Sequence, residues 1–352
     1  MLRKTWRDSS SLIVVAKQQL SRCEERGGVN YDMLLQTRSQ GASSFASSVV
    51  FPGGVAEAAD ARAEWVTLIK SFGYSQTHFD ALHCSQSIVT PIFQHDPLQK
   101  HVSLRITAIR ETFEEVGVLI CSKKKQVART GPWAEYVTNF DVKYWQNKVS
   151  KNPEELFNLC QELNCYPDIW SLHYWSNWLT PSTLKKRFDT AFFICALKDQ
   201  VVDVTGSNEV SSIEWGNPTK ILEKEKKGEV ILFPPQIYEF NRITHVKDVE
   251  ELVKFAQEIS CHGNELFYPV HLRAKDGWIH LLPGDDLYPT KLDYNNDKIL
   301  KEDQTVEQLR ENCSVLHRFE HSEEGSGFVI RNLSPPHHIS MDDRVISLRN
   351  YL

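Results

Sequence analysis

A short acidic segment is the first part of this chain of 352 residues that suggests chemistry. Residues 110–117 carry Glu111, Glu114 and Glu115, and helical spacing turns these three side chains away from the apolar side of the helix. Carboxylates that converge in this way repel one another and bind protons more tightly, unless positive charge lies among them. Hard divalent cations prefer oxygen ligands. The segment therefore predicts a site for Mg²⁺ or Mn²⁺.

Glycines and one arginine are expected to position these carboxylates. Arg110 is adjacent to Glu111 and is expected to pair with a carboxylate and hold its orientation, while Gly117 is expected to end the helix in a left-handed turn. Upstream, residues 49–51 predict a strand that runs into a turn at Gly53 and Gly54. Glycines there let the backbone approach a cation or a phosphate closely. Such an arrangement suits hydrolysis of a diphosphate bond.

Together the two segments resemble the Nudix box. That motif reads Gly, five residues, Glu, seven residues, Arg-Glu, an apolar residue, any residue, Glu-Glu, any residue, Gly and an apolar residue. Residues 110–118 fit its second half, except that Thr112 stands at the first apolar position. In the first half Asp60 replaces the glutamate, and residues 61–109 stand where the motif has seven residues. The resemblance implies the Nudix fold, an α/β architecture with a mixed β-sheet between helices.

The long insertion inside the box indicates which subfamily the chain resembles. Residues from about 61 to 106 form an insertion inside the box, and the spacing of Trp65, Ile69 and Phe72 predicts that it opens with an amphipathic helix. Among Nudix hydrolases, a long insertion here is typical of the peroxisomal acyl-coenzyme A diphosphatases, which this chain resembles over most of its length. Further similar segments lie at residues 178–181, 187–193, 214–215, 234–236 and 282–285.

This resemblance implies an activity and assigns roles to residues. The activity is the metal-dependent cleavage of coenzyme A and acyl-coenzyme A into 3′,5′-ADP and the (acyl) 4′-phosphopantetheine. Glu111 and Glu115 would bind the metal, Glu114 would be a third ligand or the base that orients water, and Arg110 would complete the catalytic group. Asp60 would join Gly53 and Gly54 in substrate binding. Its shorter side chain leaves open whether it contacts the metal directly or through water.

Arg38 is the candidate contact for the 3′-phosphate of coenzyme A. Residues 34–39 partly resemble the coenzyme A signature of Nudix diphosphatases, which begins Leu-Leu-Thr-x-Arg-Ser, although the downstream arginine of that signature is missing. A guanidinium group binds two phosphate oxygens at once, which suits this role. The alternative is a surface arginine at the end of a strand. Glu209 and Glu214 are candidates for additional acids of the site.

Two other functions stay open. The first is a Nudix hydrolase of another nucleoside diphosphate conjugate, such as ADP-ribose or a capped RNA, because the fold does not determine the substrate. The second is an idle Nudix domain that binds a metabolite or a partner, which the retained carboxylates disfavour.

The histidines of the insertion, His78, His83, His95 and His101, also offer a metal site. Their spacing places no two of them on one helical face, and zinc sites usually pair close ligands. Histidines of a partly buried cap are therefore the preferred interpretation.

Composition excludes several classes of protein. The net charge of −6 argues against binding to duplex nucleic acid through the overall field. A hydrophobic fraction of 41% supports a buried core, whereas no apolar run is long enough to span a bilayer. Eight cysteines without a Cys-x-x-Cys pair indicate reduced thiols in an intracellular compartment. The resemblance implies a small-molecule substrate as the partner, and the oligomeric state stays open.

The pattern along the chain predicts two parts. A Nudix domain is expected over residues 8–244, with strands near residues 11–16, 31–37, 49–51, 188–197 and 210–215. A C-terminal extension over residues 245–352 is expected to pack on it, with a helix over residues 247–259 and strands at 267–272 and 277–282.

The expected compartment is the peroxisome. Members of this subfamily enter it through a C-terminal tripeptide that ends in leucine, so the import receptor is a candidate partner. Asn350, Tyr351 and Leu352 keep that leucine but lack a small first residue and a basic second residue. The mitochondrion, suggested by the basic residues near the start, and the cytosol are the alternatives.

Overall fold

The computed structural model describes residues 5–18, 28–41, 47–83, 87–296, 298–323, 325–333, 339 and 341, and the backbone of residues 344–348. The C-terminal tripeptide lies outside these residues. Within them, each helix is too short or too polar to cross a membrane.

The strands and α-helices of the described residues follow one another in this order. The first elements are β1 (Arg7–Lys17), β2 (Tyr31–Arg38), β3 (Val49–Val50), β4 (Gly53–Val55), α1 (Glu64–Ser71), α2 (Gln76–Asp80), α3 (Pro97–Val116), β5 (Cys121–Ser122), α4 (Val142–Val149), α5 (Glu155–Glu162), β6 (Tyr166–Pro167), β7 (His173–Leu179), β8 (Phe188–Leu197) and β9 (Val210–Gly216). The others are α6 (Pro218–Lys227), α7 (Pro234–Ile243), α8 (Val249–Ser260), β10 (Leu266–Phe267), β11 (Val270–Arg273), β12 (Gly277–Leu281), β13 (Leu300–Lys301), α9 (Val306–Asn312), β14 (Leu316–Ser322), β15 (Gly325–Arg331) and β16 (Arg344–Leu348).

A mixed sheet of eight strands forms the centre of the first part. Its main path runs β10-β7-β8-β1-β2-β3, with β4 beside β1 and β9 beside β2. β1 is antiparallel to β2 and parallel to β8. β3 pairs with β2, and β4, which contains Gly53 and Gly54, pairs with β1. The two glycines are therefore part of this sheet.

β1 shows why this sheet lies between two layers of helices. Successive side chains of a strand point to opposite faces. Leu12 and Val14 therefore enter the core that α3 shares, whereas Ile13 and Val15 enter the core that α7 and α8 share. All four side chains are fully buried. The predicted α/β fold with a mixed sheet between helices is confirmed.

The helix of the box is longer than the sequence motif suggests. The pattern predicts a short acidic helix over residues 110–118, but α3 is one helix of 20 residues. It begins at Pro97, after Asp96, whose side chain accepts a hydrogen bond from the backbone N–H of Gln99. No glycine or proline interrupts the chain between Pro97 and Gly117. Residues 97–106, predicted as part of the insertion, are therefore the first turns of the catalytic helix, while α1 and α2 form its separate helices.

The C-terminal part forms a second sheet with the order β13-β11-β12-β14-β15-β16. Phe319 and Phe328 of this sheet lie in the same apolar core as Tyr238 of α7. A hydrogen bond of 3.1 Å also joins His317 Nε2 to the Tyr238 hydroxyl. Beyond residue 245, α8 confirms the predicted helix, and β10 joins the first sheet beside β7.

Candidate active site

β4 brings its backbone directly against the acidic part of α3. The sequence predicts a turn at Gly53 and Gly54, but both residues lie in β4, where Gly54 pairs with Ser10 of β1. A Cβ atom on Gly54 would lie 2.4 Å from Cδ of Glu111, and one on Gly53 would lie 2.4 Å from the carbonyl oxygen of Ser10. The two glycines are therefore needed for close approach between strand, helix and strand, and not for a turn.

Arg110 holds the acidic side chains in place. It is buried, and each of its five N–H groups has an acceptor. Nε and Nη2 donate to the two carboxylate oxygens of Asp60, at 2.8 and 3.0 Å. Nη1 donates to Glu111 at 2.9 Å and to Glu114 at 2.6 Å, and Nη2 also reaches the Val55 carbonyl at 2.9 Å. The sequence predicts that Arg110 pairs with a carboxylate, and in the structure it pairs with three, those of Asp60, Glu111 and Glu114.

Asp60 lies behind Arg110 and faces protein atoms. Its Oδ2 also accepts a hydrogen bond from the Thr107 hydroxyl at 2.8 Å and from the backbone N–H of Glu57 at 3.0 Å. The residue is 2% exposed. These contacts give Asp60 the role of positioning Arg110, in place of the substrate contact that the resemblance implies.

Glu115 is held from the other side, by the sheet. Its Oε2 accepts hydrogen bonds from the Gly53 N–H at 2.8 Å and from Gln36 Nε2 at 2.6 Å. Its Oε1 accepts one from Arg38 at 3.2 Å, and Arg38 also binds Glu209 at 3.1 Å. Arg38 therefore lies in the site as predicted, but two carboxylates share its guanidinium group. Nothing in these contacts assigns it to a phosphate.

The buried carboxylates of this cluster favour the binding of a cation. Burial raises the pKa of Glu111, Glu114 and Glu115, although Arg110 opposes the shift at the first two. Among the described residues, Oε2 of Glu111 and Oε2 of Glu114 accept no hydrogen bond. A set of buried carboxylate oxygens with raised proton affinity fits a hard divalent cation. Burial is the largest cause of these raised pKa values, and repulsion between the carboxylates contributes less.

An open cleft of about 330 Å³ lies in front of these carboxylates. Its lining consists of acids from α3, polar residues of α4 and a short loop before β9: Glu111, Glu114, Glu115, Lys143, Gln146, Asn147, Ser150, Gly206, Ser207, Asn208 and Glu209. Glu209 is thus an acid of the site, as predicted. Glu214 does not line the cleft and lies 3.7 Å from Lys224 in an ion pair.

Three residues of the site escape the motif search. Gln36 orients Glu115, while Lys143 and Gln146 of α4 line the far wall of the cleft. Gln146 Nε2 also donates to the carbonyl oxygens of Glu114 and Thr205, at 3.1 and 2.6 Å, which joins α4 to the end of α3. The sequence does carry a signal for α4, because positions 143, 146, 147 and 150 follow helical spacing and are all polar.

The histidines of the insertion form no metal site among the described residues. His101 of α3 stacks on Phe93 with ring centroids 4.1 Å apart, and its Nδ1 lies 3.0 Å from Nη1 of Arg105. The interpretation as histidines of a buried cap agrees with this packing.

Known proteins and family models match most of this chain. A family model described as the NUDT19 Nudix domain matches residues 6–243, and one described as the NUDT19 C-terminal domain matches residues 271–326. The acyl-coenzyme A diphosphatase NUDT19 of Xenopus laevis is 33% identical over 341 residues, which cover 90% of this chain and 90% of that protein. The protein of the same name from Gallus gallus is 34% identical over 342 residues, which cover 89% and 88%.

A solved structure supports the fold alone. The Nudix hydrolase from Alicyclobacillus acidocaldarius superposes with a TM-score of 0.50 at 19% identity, over 71% of this chain and 96% of that chain. Because the NUDT19 Nudix domain model matches residues 6–243, which are more than half of the chain, the chain belongs to the NUDT19 family of Nudix proteins.

Proposed function

We propose that this protein hydrolyses the diphosphate bond of coenzyme A and acyl-coenzyme A. The products are 3′,5′-ADP and the (acyl) 4′-phosphopantetheine. The observation that carries the proposal is the carboxylate cluster at the wall of an open cleft, in which Arg110 holds Glu111 and Glu114 while the sheet holds Glu115. The substrate is supported by relatives that are named acyl-coenzyme A diphosphatases and align with about nine-tenths of the chain.

Glu111 and Glu115 would hold the divalent cation, which we propose to be Mg²⁺ or Mn²⁺, with Glu114 as a third ligand. When bound, such a cation neutralises phosphate oxygens and lowers the pKa of bound water. The chain contributes the placement of its oxygens. The Gly53 N–H and Gln36 hold one oxygen of Glu115, and Arg110 holds one oxygen each of Glu111 and Glu114. The other oxygens of Glu111 and Glu114 are then left for the cation or for water.

The reaction adds water to one phosphorus atom and breaks its bond to the bridging oxygen. Glu114 is the proposed base if it does not bind the cation. Burial raises its pKa, so its carboxylate takes a proton more readily than an exposed glutamate would. The acidic cleft is open to solvent, which leaves room for the pantetheine arm or an acyl chain to extend outside it.

A substrate panel tests the proposal. Purified protein with Mg²⁺ or Mn²⁺ is expected to release 3′,5′-ADP from coenzyme A and from its acyl esters, followed by ion-exchange chromatography. Hydrolysis of ADP-ribose or capped RNA without release of 3′,5′-ADP would reject the substrate and keep the Nudix chemistry. Equal rates on coenzyme A and on dephospho-coenzyme A would also favour another nucleoside diphosphate. No turnover on any substrate would support an idle binding module.

Lys143 is expected to help bind the substrate, because it is the only cationic side chain among the described residues that line the cleft. Coenzyme A carries three phosphates, and the other lining charges are carboxylates. Replacing Lys143 with alanine should raise KM by about tenfold with kcat unchanged, the size expected for one charged hydrogen bond. The difference should shrink in high salt, since the residue is exposed. Steady-state kinetics at two ionic strengths measure both effects.

Lys148 provides the matched control. It lies on the same helix, but its Nζ is 3.0 Å from Glu155, and it does not line the cleft. Lys148→Ala should keep the KM of the unmodified protein. If Lys143→Ala also keeps it, Lys143 does not contact the substrate. Repeating the comparison with dephospho-coenzyme A identifies which phosphate is bound, because the tenfold difference would vanish if the contact is to the 3′-phosphate.

A further inference from the structure

Three buried thiols converge at a place that the proposed reaction does not use. Cys121 begins β5, Cys160 lies in α5, and Cys165 lies between α5 and β6. Their three Sγ atoms all lie within 4.8 Å of one another, and those of Cys121 and Cys160 are 3.9 Å apart. Their three ligand atoms are therefore close enough together to share one ion.

The spacing of the sulfur atoms matches a metal and not a disulfide. A metal ion bonded to three thiolates at about 2.3 Å holds their sulfur atoms roughly 4 Å apart. A disulfide needs a separation of about 2 Å between two of them and leaves the third thiol unpaired. The observed separations therefore allow an ion at the centre of the triangle with small adjustments of the side chains.

Packing alone does not explain the group. A single buried cysteine often serves as a small apolar side chain. Here three cysteines, all at most 1% exposed, place their sulfur atoms close to one another, and Cys121 lies far in sequence from Cys160 and Cys165.

We propose that Cys121, Cys160 and Cys165 form a binding site for a thiophilic divalent cation of the zinc type. Soft thiolate ligands select such ions over the hard cations that bind carboxylates. A dication leaves little residual charge on three buried thiolates, and Lys123 is close enough to act electrostatically on Cys165. No fourth side chain among the described residues joins the group, so the coordination is trigonal, or an external ligand completes it.

The ion would join parts of the chain that frame the active site. β5 follows the end of α3 and pairs with β6. α5 packs against α4, whose polar face lines the cleft. A bound ion would therefore link the segment that leaves the catalytic helix to α5, which supports the far wall of the cleft. Its role is structural, and it is independent of the cation that the carboxylates would bind.

Cadmium is the probe that tests the site, because its bonds to thiolates absorb in the ultraviolet. The full-length protein, kept reduced and free of other metals, should develop this absorption up to one equivalent of Cd²⁺. Cys160→Ala should lose most of it. Cys261→Ala, which removes an exposed thiol elsewhere, and Cys313→Ala, which removes a buried one in the C-terminal part, should retain it.

A second measurement decides the matter if Cys160→Ala does not fold. Iodoacetamide is added to the unmodified protein during brief partial denaturation, with and without Zn²⁺, and modified cysteines are identified by mass spectrometry. Zn²⁺ should slow modification of Cys121, Cys160 and Cys165 together by at least about tenfold, and leave Cys261 unchanged. Equal modification with and without Zn²⁺, a disulfide between two of the three in freshly isolated protein, or a cadmium signal that Cys160→Ala retains, would each overturn the proposal.

Discussion

Replacing Glu115 with glutamine is expected to lower kcat/KM for coenzyme A by more than about 100-fold. Residues that only support metal ligands typically contribute about 10- to 100-fold to affinity or activity, so loss of a ligand should exceed that range. Glutamine keeps the shape of the side chain and retains a carbonyl oxygen for the Gly53 N–H. It removes the negative charge that a divalent cation requires. Binding of Mn²⁺, followed by paramagnetic resonance of the free ion, should weaken in parallel.

The fold of the Glu115→Gln variant should persist. The carboxylate is buried and its pKa is raised, so the metal-free protein is not stabilised by its charge. Arg38 loses one partner but keeps Glu209. The thermal midpoint without metal should therefore change by at most a few degrees.

Glu214→Gln is the matched control for this variant. Glu214 is also a glutamate near the first sheet, but it faces Lys224 and lies outside the cleft. It should retain the activity and the Mn²⁺ affinity of the unmodified protein. Activity of Glu115→Gln at the level of this control would remove Glu115 from the ligand set.

Local pattern predicts the acidic helix and its chemistry well. Glu111, Glu114 and Glu115 share one turn and a half of helix, so their convergence follows from helical geometry alone. Gly117 ends α3 with φ 76°, a conformation that side chains disfavour and that the motif predicts. Such features depend on residues that are close together in the chain, so the sequence alone predicts them.

Long-range contacts account for what the sequence does not reveal. The motif places Asp60 among groups that contact the substrate, yet the fold buries it against Arg110 and Thr107. Gln36 and Arg38 reach Glu115 only because β2 pairs with strands on both sides. The register of a sheet is a tertiary property that no short pattern contains. The extent of α3 is a different case, since the absence of glycine and proline after Pro97 already permits one continuous helix.

Removal of the Asp60 carboxylate is expected to have the second large effect. In Asp60→Ala, Arg110 keeps Glu111 and Glu114 but loses the two hydrogen bonds that anchor it from behind. Removing one partner of a buried ion pair typically destabilises a protein by about 3–5 kcal/mol. The Glu57 N–H loses its side-chain acceptor as well, and the Thr107 hydroxyl keeps only the Ser103 carbonyl. The thermal midpoint of the metal-free protein should fall by several degrees, and kcat should fall by about 10- to 100-fold because the acids are less well placed.

Asp60→Glu and Asp80→Ala separate this role from its alternatives. Glutamate restores the charge and is the residue that the motif has at this position, but its extra methylene must fit a closed site, at a typical cost of about 1–3 kcal/mol. It should recover part of the activity and part of the stability. The side chain of Asp80 is exposed and binds only Gln76 among the described residues, so its removal should change neither quantity.

A metal ligand would behave differently from a positioning residue. If Asp60→Ala weakens Mn²⁺ binding but leaves the thermal midpoint of the metal-free protein unchanged, Asp60 binds the cation and does not anchor Arg110.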